Sequence, residues 1–195
     1  MPEEKEILTI INKEEYEDIH ERLKKAFTSS KNTKRLAIQC TDTSSDDLDT
    51  RIRISNKKVT LIQKVGKWKS KTREEIEIDL PNETDVVLHI FKILRNMLKG
   101  DKVRTSIIQT ESLTFENEDY EIKLTHQFGK TDKYNAEIEV FNTKIEPEEI
   151  AERFNIPIRL PEHTAEFWDN WNKEVNFSAD KFLEEDLKKL IEEYL

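Results

Sequence analysis

Apolar and charged residues alternate along much of this chain. In Arg51-Ile52-Arg53-Ile54, Glu75-Ile76-Glu77-Ile78 and Glu137-Ile138-Glu139-Val140 every second side chain is charged and its neighbour is aliphatic. A period of two is the side-chain period of a β-strand, so such segments have one apolar face and one charged face. The pattern predicts strands over 4–11, 35–41, 50–55, 58–65, 73–80, 102–115, 120–128 and 135–142, with a hairpin turn at Asn56-Lys57. The period changes in four places. Tyr16, Ile19, Leu23 and Phe27 recur at helical spacing, and Asn12 with Glu15 three residues on is a capping-box signature, so 13–27 is an amphipathic helix. Pro81 ends a strand. Asn82 or Thr84 can then cap a helix that carries Val87, Ile90, Phe91, Leu94 and Leu98 and is closed by Gly100. Pro147 opens a short helix to Phe154, and 162–195 is helical in pattern. The polar stretch 28–34 reads as a loop, and 66–72 as a basic loop bearing Trp68.

Composition sharpens this picture. At 195 residues one domain is expected, with the strand-rich part over about 3–142 and a helical segment over about 147–195. Charged residues make up 37% and hydrophobic ones 35%, so either much of the chain is disordered or charge lines a functional cavity; the regular periodicities favour the cavity. The net charge of −9 argues against a nucleic-acid partner, although a local basic lining can still take a small polyphosphate. No apolar run approaches the roughly 20 residues of a membrane span, and the acidic start MPEEKE is unlike a signal peptide, so a cytoplasmic location and no membrane partner are expected. Cys40 is the only cysteine, which excludes an intramolecular disulfide and a cysteine-based zinc site. His20, His89, His126 and His163 show no metal-ligand spacing, and three glycines leave no phosphate-cradling loop. Trp168 and Trp171, three apart in the tail, read as packing residues, as does Trp68.

The charged faces carry the candidate chemistry. Glutamates are paired at 4 and 6, at 75 and 77, and at 137 and 139. Carboxylates are the ligands that hard cations such as Mg²⁺ and Mn²⁺ prefer. Basic residues recur at the same spacing in Arg51/Arg53 and Lys102/Arg104, with Lys64 and Arg73 nearby. Guanidinium and ammonium groups suit phosphate oxygens. For any one pair, a solvated sheet face is the plain alternative. Rows of charge on several strands cannot be buried in an ordinary core, and they suit a wet cavity holding metal ions and a polyanion.

In order, these motifs resemble the CYTH family, the triphosphate tunnel metalloenzymes. The family's opening E-x-E-x-K is EKEIL here, followed by a strand and a helix; its acidic-threonine step is Asp42-Thr43; its R-x-R strand is RIRI. Lys64, then Arg73-Glu-Glu75-Ile-Glu77, then Lys102-Val-Arg104, then Glu137-Ile-Glu139 follow in the family order. The resemblance implies an α+β fold: an eight-stranded antiparallel β-barrel forming a tunnel, with flanking helices. It implies a divalent-metal-dependent hydrolase of a triphosphate, inorganic, thiamine or nucleoside, using Mg²⁺ or Mn²⁺, as a monomer or homodimer. In that scheme Glu4, Glu6, Glu75, Glu77, Glu137 and Glu139 hold metal. Arg51, Arg53, Lys64, Arg73, Lys102 and Arg104, with Lys123, hold phosphate, and Glu4, Glu6, Lys64 and Arg73 are catalytic. Two positions depart from the family pattern. Leu8 stands where the family has the lysine of its first motif, and Thr125 where the strand before the last acidic pair has an aspartate. Those departures keep a non-catalytic polyphosphate- or nucleotide-binding module open beside the hydrolase, and a class IV-type adenylyl cyclase remains a further alternative.

Overall fold

The structure, a computed structural model, describes residues 5–42, 48–65, 74–98, 103–142, 144–159 and 165–195. Glu4, Arg73 and Lys102, together with Thr43, Trp68, Gly100 and His163, lie outside the described residues.

The elements run β1 Lys5–Ile11, α1 Lys13–Ala26, β2 Lys31–Asp42, β3 Leu48–Ser55, β4 Lys58–Val65, β5 Glu74–Leu80, α2 Thr84–Met97, β6 Val103–Glu116, β7 Tyr120–Phe128, β8 Lys133–Val140, α3 Pro147–Arg153, α4 Ala165–Val175 and α5 Glu184–Glu192. The strands form one eight-stranded antiparallel sheet in the order β1-β8-β7-β6-β2-β3-β4-β5. This is the α+β fold and the strand count that the sequence predicts. The hydrogen-bonded ladder has β1 and β5 as its edges and is not closed into a barrel.

Local chemistry accounts for most of these boundaries. The Asn12 side chain accepts from the Glu15 N–H at 2.9 Å, and the Glu15 carboxylate accepts from the Asn12 N–H at 2.8 Å. Such a box satisfies two donors that a helix start leaves open, worth about 1 kcal/mol. Asn56 and Lys57 take positive φ values of 48° and 70°, as a two-residue hairpin turn with the twist of its strands requires. Three expectations differ. Strand β2 begins at Lys31, inside the polar stretch read as a loop, because backbone pairing can override the composition of a segment. The cap of α2 is Glu83, with no side-chain hydrogen bond, rather than Asn82 or Thr84. The helical tail is broken between α4 and α5, where the Ile107 N–H donates to the Phe177 carbonyl at 2.8 Å and draws the chain into a β-bridge with β6.

The chain divides into two compact units, Met1–Thr33 with Thr110–Val175, and Lys34–Gln109 with Asn176–Leu195. Each has its own core. In the first unit, Ile19 and Leu23 of α1 and Ile150 of α3 pack on Ile11, Ile122, Leu124, Ile138 and Val140 of the strands. In the second, Val87, Leu88 and Phe91 of α2 and Leu187 and Ile191 of α5 pack on Leu36, Ile38, Ile52, Ile54 and Val59. Ion pairs Lys92–Glu184 at 2.8 Å and Lys188–Asp85 at 3.1 Å tie α2 to α5. The free edge of β1 is covered by the chain after α3: the Ile10 N–H donates to the Arg159 carbonyl, and the Thr9 hydroxyl to the Pro157 carbonyl at 2.6 Å. In both units, helices bury the apolar side of the strands, and the alternation leaves the charged side chains on the other side.

Candidate functional site

Strand register fixes which charged side chains share a face. In the first unit Glu6 is opposite Glu139, and Glu139 is opposite Glu121 on the next strand. Two residues along, Leu8 is opposite Glu137, and Glu137 is opposite Lys123. All lie opposite in direction to Ile7, Ile122 and Ile138, which are buried. Lys123 Nζ donates to Glu137 Oε2 at 2.9 Å, and both side chains are about one-third exposed. Burial raises the Glu121 carboxyl above the ordinary glutamate range; Lys123 opposes that rise, and Glu116 and Glu137 add to it.

Thr125 continues this face and meets the Ser112 hydroxyl at 3.0 Å. The acid that β7 contributes is therefore not at 125 but four residues earlier, at Glu121. Sequence reasoning missed Glu121, although its spacing to Lys123 and Thr125 carries the same period of two. The position of Leu8 agrees with the sequence reading: it shares the face of Glu6 and flanks Glu137.

In the second unit β3 presents Asp49, Arg51 and Arg53, β4 presents Thr60 and Lys64, and β5 presents Glu75, Glu77 and Asp79, all on one face. Each acid meets a cation. Arg53 Nη2 is 2.9 Å from both oxygens of Glu77. Lys64 Nζ is 2.8 Å from Glu75, and Lys58 Nζ is 2.8 Å from Asp79. Arg51 is clasped by Asp49, with Nε at 3.4 Å from Oδ1, and Gln39 donates to the same oxygen at 2.8 Å. The hydrogen bond from Lys64 holds the Glu75 carboxyl below its usual range, helped by the charges of Lys64, Arg53 and Arg51. Asp49 is 4% exposed and is the second acid that sequence reasoning passed over; it extends the Arg51-Arg53 alternation by one step. Arg104 is half-buried on β6, where its carbonyl accepts from the Thr41 hydroxyl at 3.5 Å.

The two faces differ as sites. The first groups Glu6, Glu137 and Glu139 on paired strands, a donor set of the hard-oxygen type that Mg²⁺ or Mn²⁺ takes. Among the described residues no three acids, histidines or cysteines are gathered closely enough to hold a metal ion by themselves. Such a set fits a cation that completes its shell with waters or ligand oxygens. On the second face, Glu75 and Glu77 are already engaged by Lys64 and Arg53. No helix among the described residues is long and apolar enough to cross a membrane.

No family model matches the sequence, and no curated protein matches it. Solved structures match its fold. A candidate adenylate cyclase from Bacillus halodurans aligns with a TM-score of 0.57 at 17% identity, over 82% of this chain and 95% of that one. A candidate adenylyl cyclase from Hippeastrum, described as having a dominant triphosphatase activity, aligns with a TM-score of 0.55 at 16% identity, over 86% and 95%. A protein from Pyrococcus horikoshii aligns with a TM-score of 0.54 at 19% identity, over 88% and 99%. The sequence motifs and the strand architecture lead to the same place, and the chain has the fold of the triphosphate tunnel metalloenzymes.

Proposed function

We propose that the protein is a divalent-metal-dependent hydrolase of a triphosphate. The observation that carries this reading is the face formed by β3, β4 and β5. There Arg51, Arg53 and Lys64 are each held by a carboxylate, on the side of the strands opposite Ile52, Ile54 and Val59 of the core. A phosphate chain offers these cations the same oxygen geometry with more charge, so it can exchange with Asp49, Glu75 and Glu77. Arg53, whose Nη2 alone now meets both oxygens of Glu77, has a planar fork that would take two oxygens of one phosphate. Lys64 would act as a point charge on a neighbouring phosphate. Glu75 and Glu77, assigned to metal from the sequence, serve in this reading as counter-ions to Lys64 and Arg53 in the absence of phosphate.

Glu6, Glu137 and Glu139, with Glu4 from outside the described residues, would hold Mg²⁺ or Mn²⁺. The ion would neutralise charge on the transferring phosphoryl group and polarise water. Lys123 donates to Glu137 and orients it from one side. Arg73, Lys102 and Arg104 extend the phosphate assignment in the same scheme.

A second reading, a polyphosphate- or nucleotide-binding module without turnover, draws on Leu8. The aliphatic side chain at position 8 supplies no cation next to Glu6 and Glu137. ³¹P NMR of tripolyphosphate, thiamine triphosphate and ATP incubated with the protein, with and without Mg²⁺ or Mn²⁺, separates the outcomes. Metal-dependent appearance of orthophosphate is the expected result. Binding with no new phosphorus signal establishes the module, and pyrophosphate with a cyclic nucleotide from ATP establishes the cyclase.

A further inference from the structure

One polar side chain on the face of β3, β4 and β5 takes no part in its ion pairs. Thr60 is 2% exposed, and its buried hydroxyl has no hydrogen-bond partner among the described residues. The other buried threonines, Thr9, Thr50 and Thr105, are each bonded, to the Pro157 carbonyl at 2.6 Å, the Gln63 amide at 3.2 Å and the Ser178 hydroxyl at 3.4 Å. A buried hydroxyl without a partner costs stability that an apolar side chain of the same shape, such as valine, does not.

Register places this hydroxyl beside a cation. Thr60 is opposite Arg53 on β3 and opposite Asp79 on β5. Side chains directly opposite on one sheet face start about 5 Å apart. Asp79 turns to Lys58 at 2.8 Å. Arg53 starts opposite Thr60 and ends on Glu77, which is opposite Ile62, two residues along β4. The Arg53 side chain therefore crosses β4 at Thr60 and Ile62, and Ile62 is also buried. A carboxylate is planar and offers two oxygens, and Arg53 Nη2 already meets both of those of Glu77 at 2.9 Å. A phosphate is tetrahedral. With two oxygens on the guanidinium, it has another directed out of that plane.

We infer that Thr60 is a specificity-determining residue of the Arg53 subsite: when a phosphate takes the place of Glu77, the Thr60 hydroxyl donates to the out-of-plane oxygen that a carboxylate lacks. The inference rests on the triphosphate reading of this face. It adds the ground on which phosphate outcompetes the resident carboxylate. Charge alone admits any small polyanion, polycarboxylates included. A buried donor left unpaired by a planar anion and paired by a tetrahedral one sets phosphoryl groups above carboxylates, because a site discriminates most strongly through polar groups that the wrong ligand leaves unsatisfied.

Calorimetry on the whole protein without metal, with tripolyphosphate and with citrate as the carboxylate probe, tests this in the wild type, Thr60→Val and Thr60→Ser, beside a melting curve of each. Thr60→Val is expected to lower tripolyphosphate affinity roughly tenfold, the scale of one hydrogen bond to a charged group. Its citrate affinity should stay unchanged, and it should melt at the same temperature or higher because the unpartnered hydroxyl is gone. Thr60→Ser, which keeps the hydroxyl, should bind tripolyphosphate as the wild type does. Unchanged tripolyphosphate affinity in Thr60→Val, an equal loss for both ligands, or a loss that Thr60→Ser shares overturns the inference and leaves the triphosphate reading in place. A lower melting temperature in Thr60→Val means that the hydroxyl is bonded within the protein, and also overturns it. A wild type that does not bind tripolyphosphate removes the triphosphate reading, and this inference with it.

Discussion

The two charged faces are built by the same alternation and arrange their charges differently. On β3–β5 the acids Asp49, Glu75, Glu77 and Asp79 are matched one for one by Arg51, Lys64, Arg53 and Lys58. On β1, β8 and β7 the acids Glu6, Glu121, Glu137 and Glu139 share a face, and Lys123 pairs with Glu137 there. On a face whose acids and cations are matched, an anion would bind by displacing a carboxylate. A face that groups carboxylates on paired strands offers oxygen ligands to a cation. In the proposed function the anion would go to the β3–β5 face and the metal to the face of β1, β8 and β7.

Breaking the acidic side should have the largest effect. Glu139→Gln removes a carboxylate from the row Glu6–Glu139–Glu121 and should abolish metal-dependent turnover, while the apo protein melts at the same temperature or slightly higher because repulsion falls. Phosphate release and a melting curve on one preparation check both halves. Full activity in this variant would remove the metal assignment. Next in size, Arg53→Ala should weaken triphosphate binding by about 2–4 kcal/mol, the range for taking one partner from a desolvated charge pair. Calorimetry without metal reads this directly, and an unchanged affinity would mean that the face of β3 does not meet phosphate.

A smaller effect is expected from filling the gap at position 8. Leu8→Lys places an ammonium opposite Glu137 and beside Glu6, where its charge is welcome, and should raise turnover several-fold. If turnover does not change, Lys123 already supplies the charge, and Lys123→Ala should then be strongly damaging. If neither variant changes turnover, position 8 of β1 does not meet the site.

The smallest effects are in pH dependence, where the two faces should move in opposite directions. The Glu75 carboxyl is held below its unfolded value, so its stabilisation is present above the ordinary glutamate pKa and is lost as pH falls through the depressed folded value. Glu121 is raised by burial, so its ionised form costs stability at neutral pH, and the cost disappears as pH falls through the raised folded value. Glu75→Gln should therefore lower the melting temperature at pH 7 and flatten its fall in acid. Glu121→Gln should raise it at pH 7. Melts between pH 7 and pH 4 for each variant check the signs, and the same sign for both would break the contrast between the faces.

Much of this arrangement is legible in the sequence because strand alternation is a local signal. Arg51, Arg53, Glu75, Glu77, Glu137 and Glu139 lie on charged faces as the period of two requires, and the capping box of α1 is read directly from Asn12 and Glu15. Asp49 and Glu121 escaped because their acidic pairs, Asp47-Leu48-Asp49 and Asp119-Tyr120-Glu121, contain aspartate and do not show as E-x-E; cross-strand contacts place Asp49 beside Gln39 and Glu121 opposite Glu139. Whether Glu75 and Glu77 meet a metal or a cation also depends on register, since Lys64 and Arg53 come from other strands. The break after α4 was hidden because the β-bridge at Phe177 is a contact with Ile107, distant in sequence.

The division of labour between the faces is tested most directly by an amide NMR titration with two ligands added separately. Mn²⁺ alone broadens signals near its binding site, and tripolyphosphate alone shifts the guanidinium Nε–H signals of the arginines it meets. Mn²⁺ is expected to broaden first the amides around Glu6, Glu137 and Glu139, and tripolyphosphate to shift Arg51 and Arg53. Broadening scattered over surface acids, together with unmoved Arg51 and Arg53 signals, would contradict the assignment of metal and phosphate to these two faces.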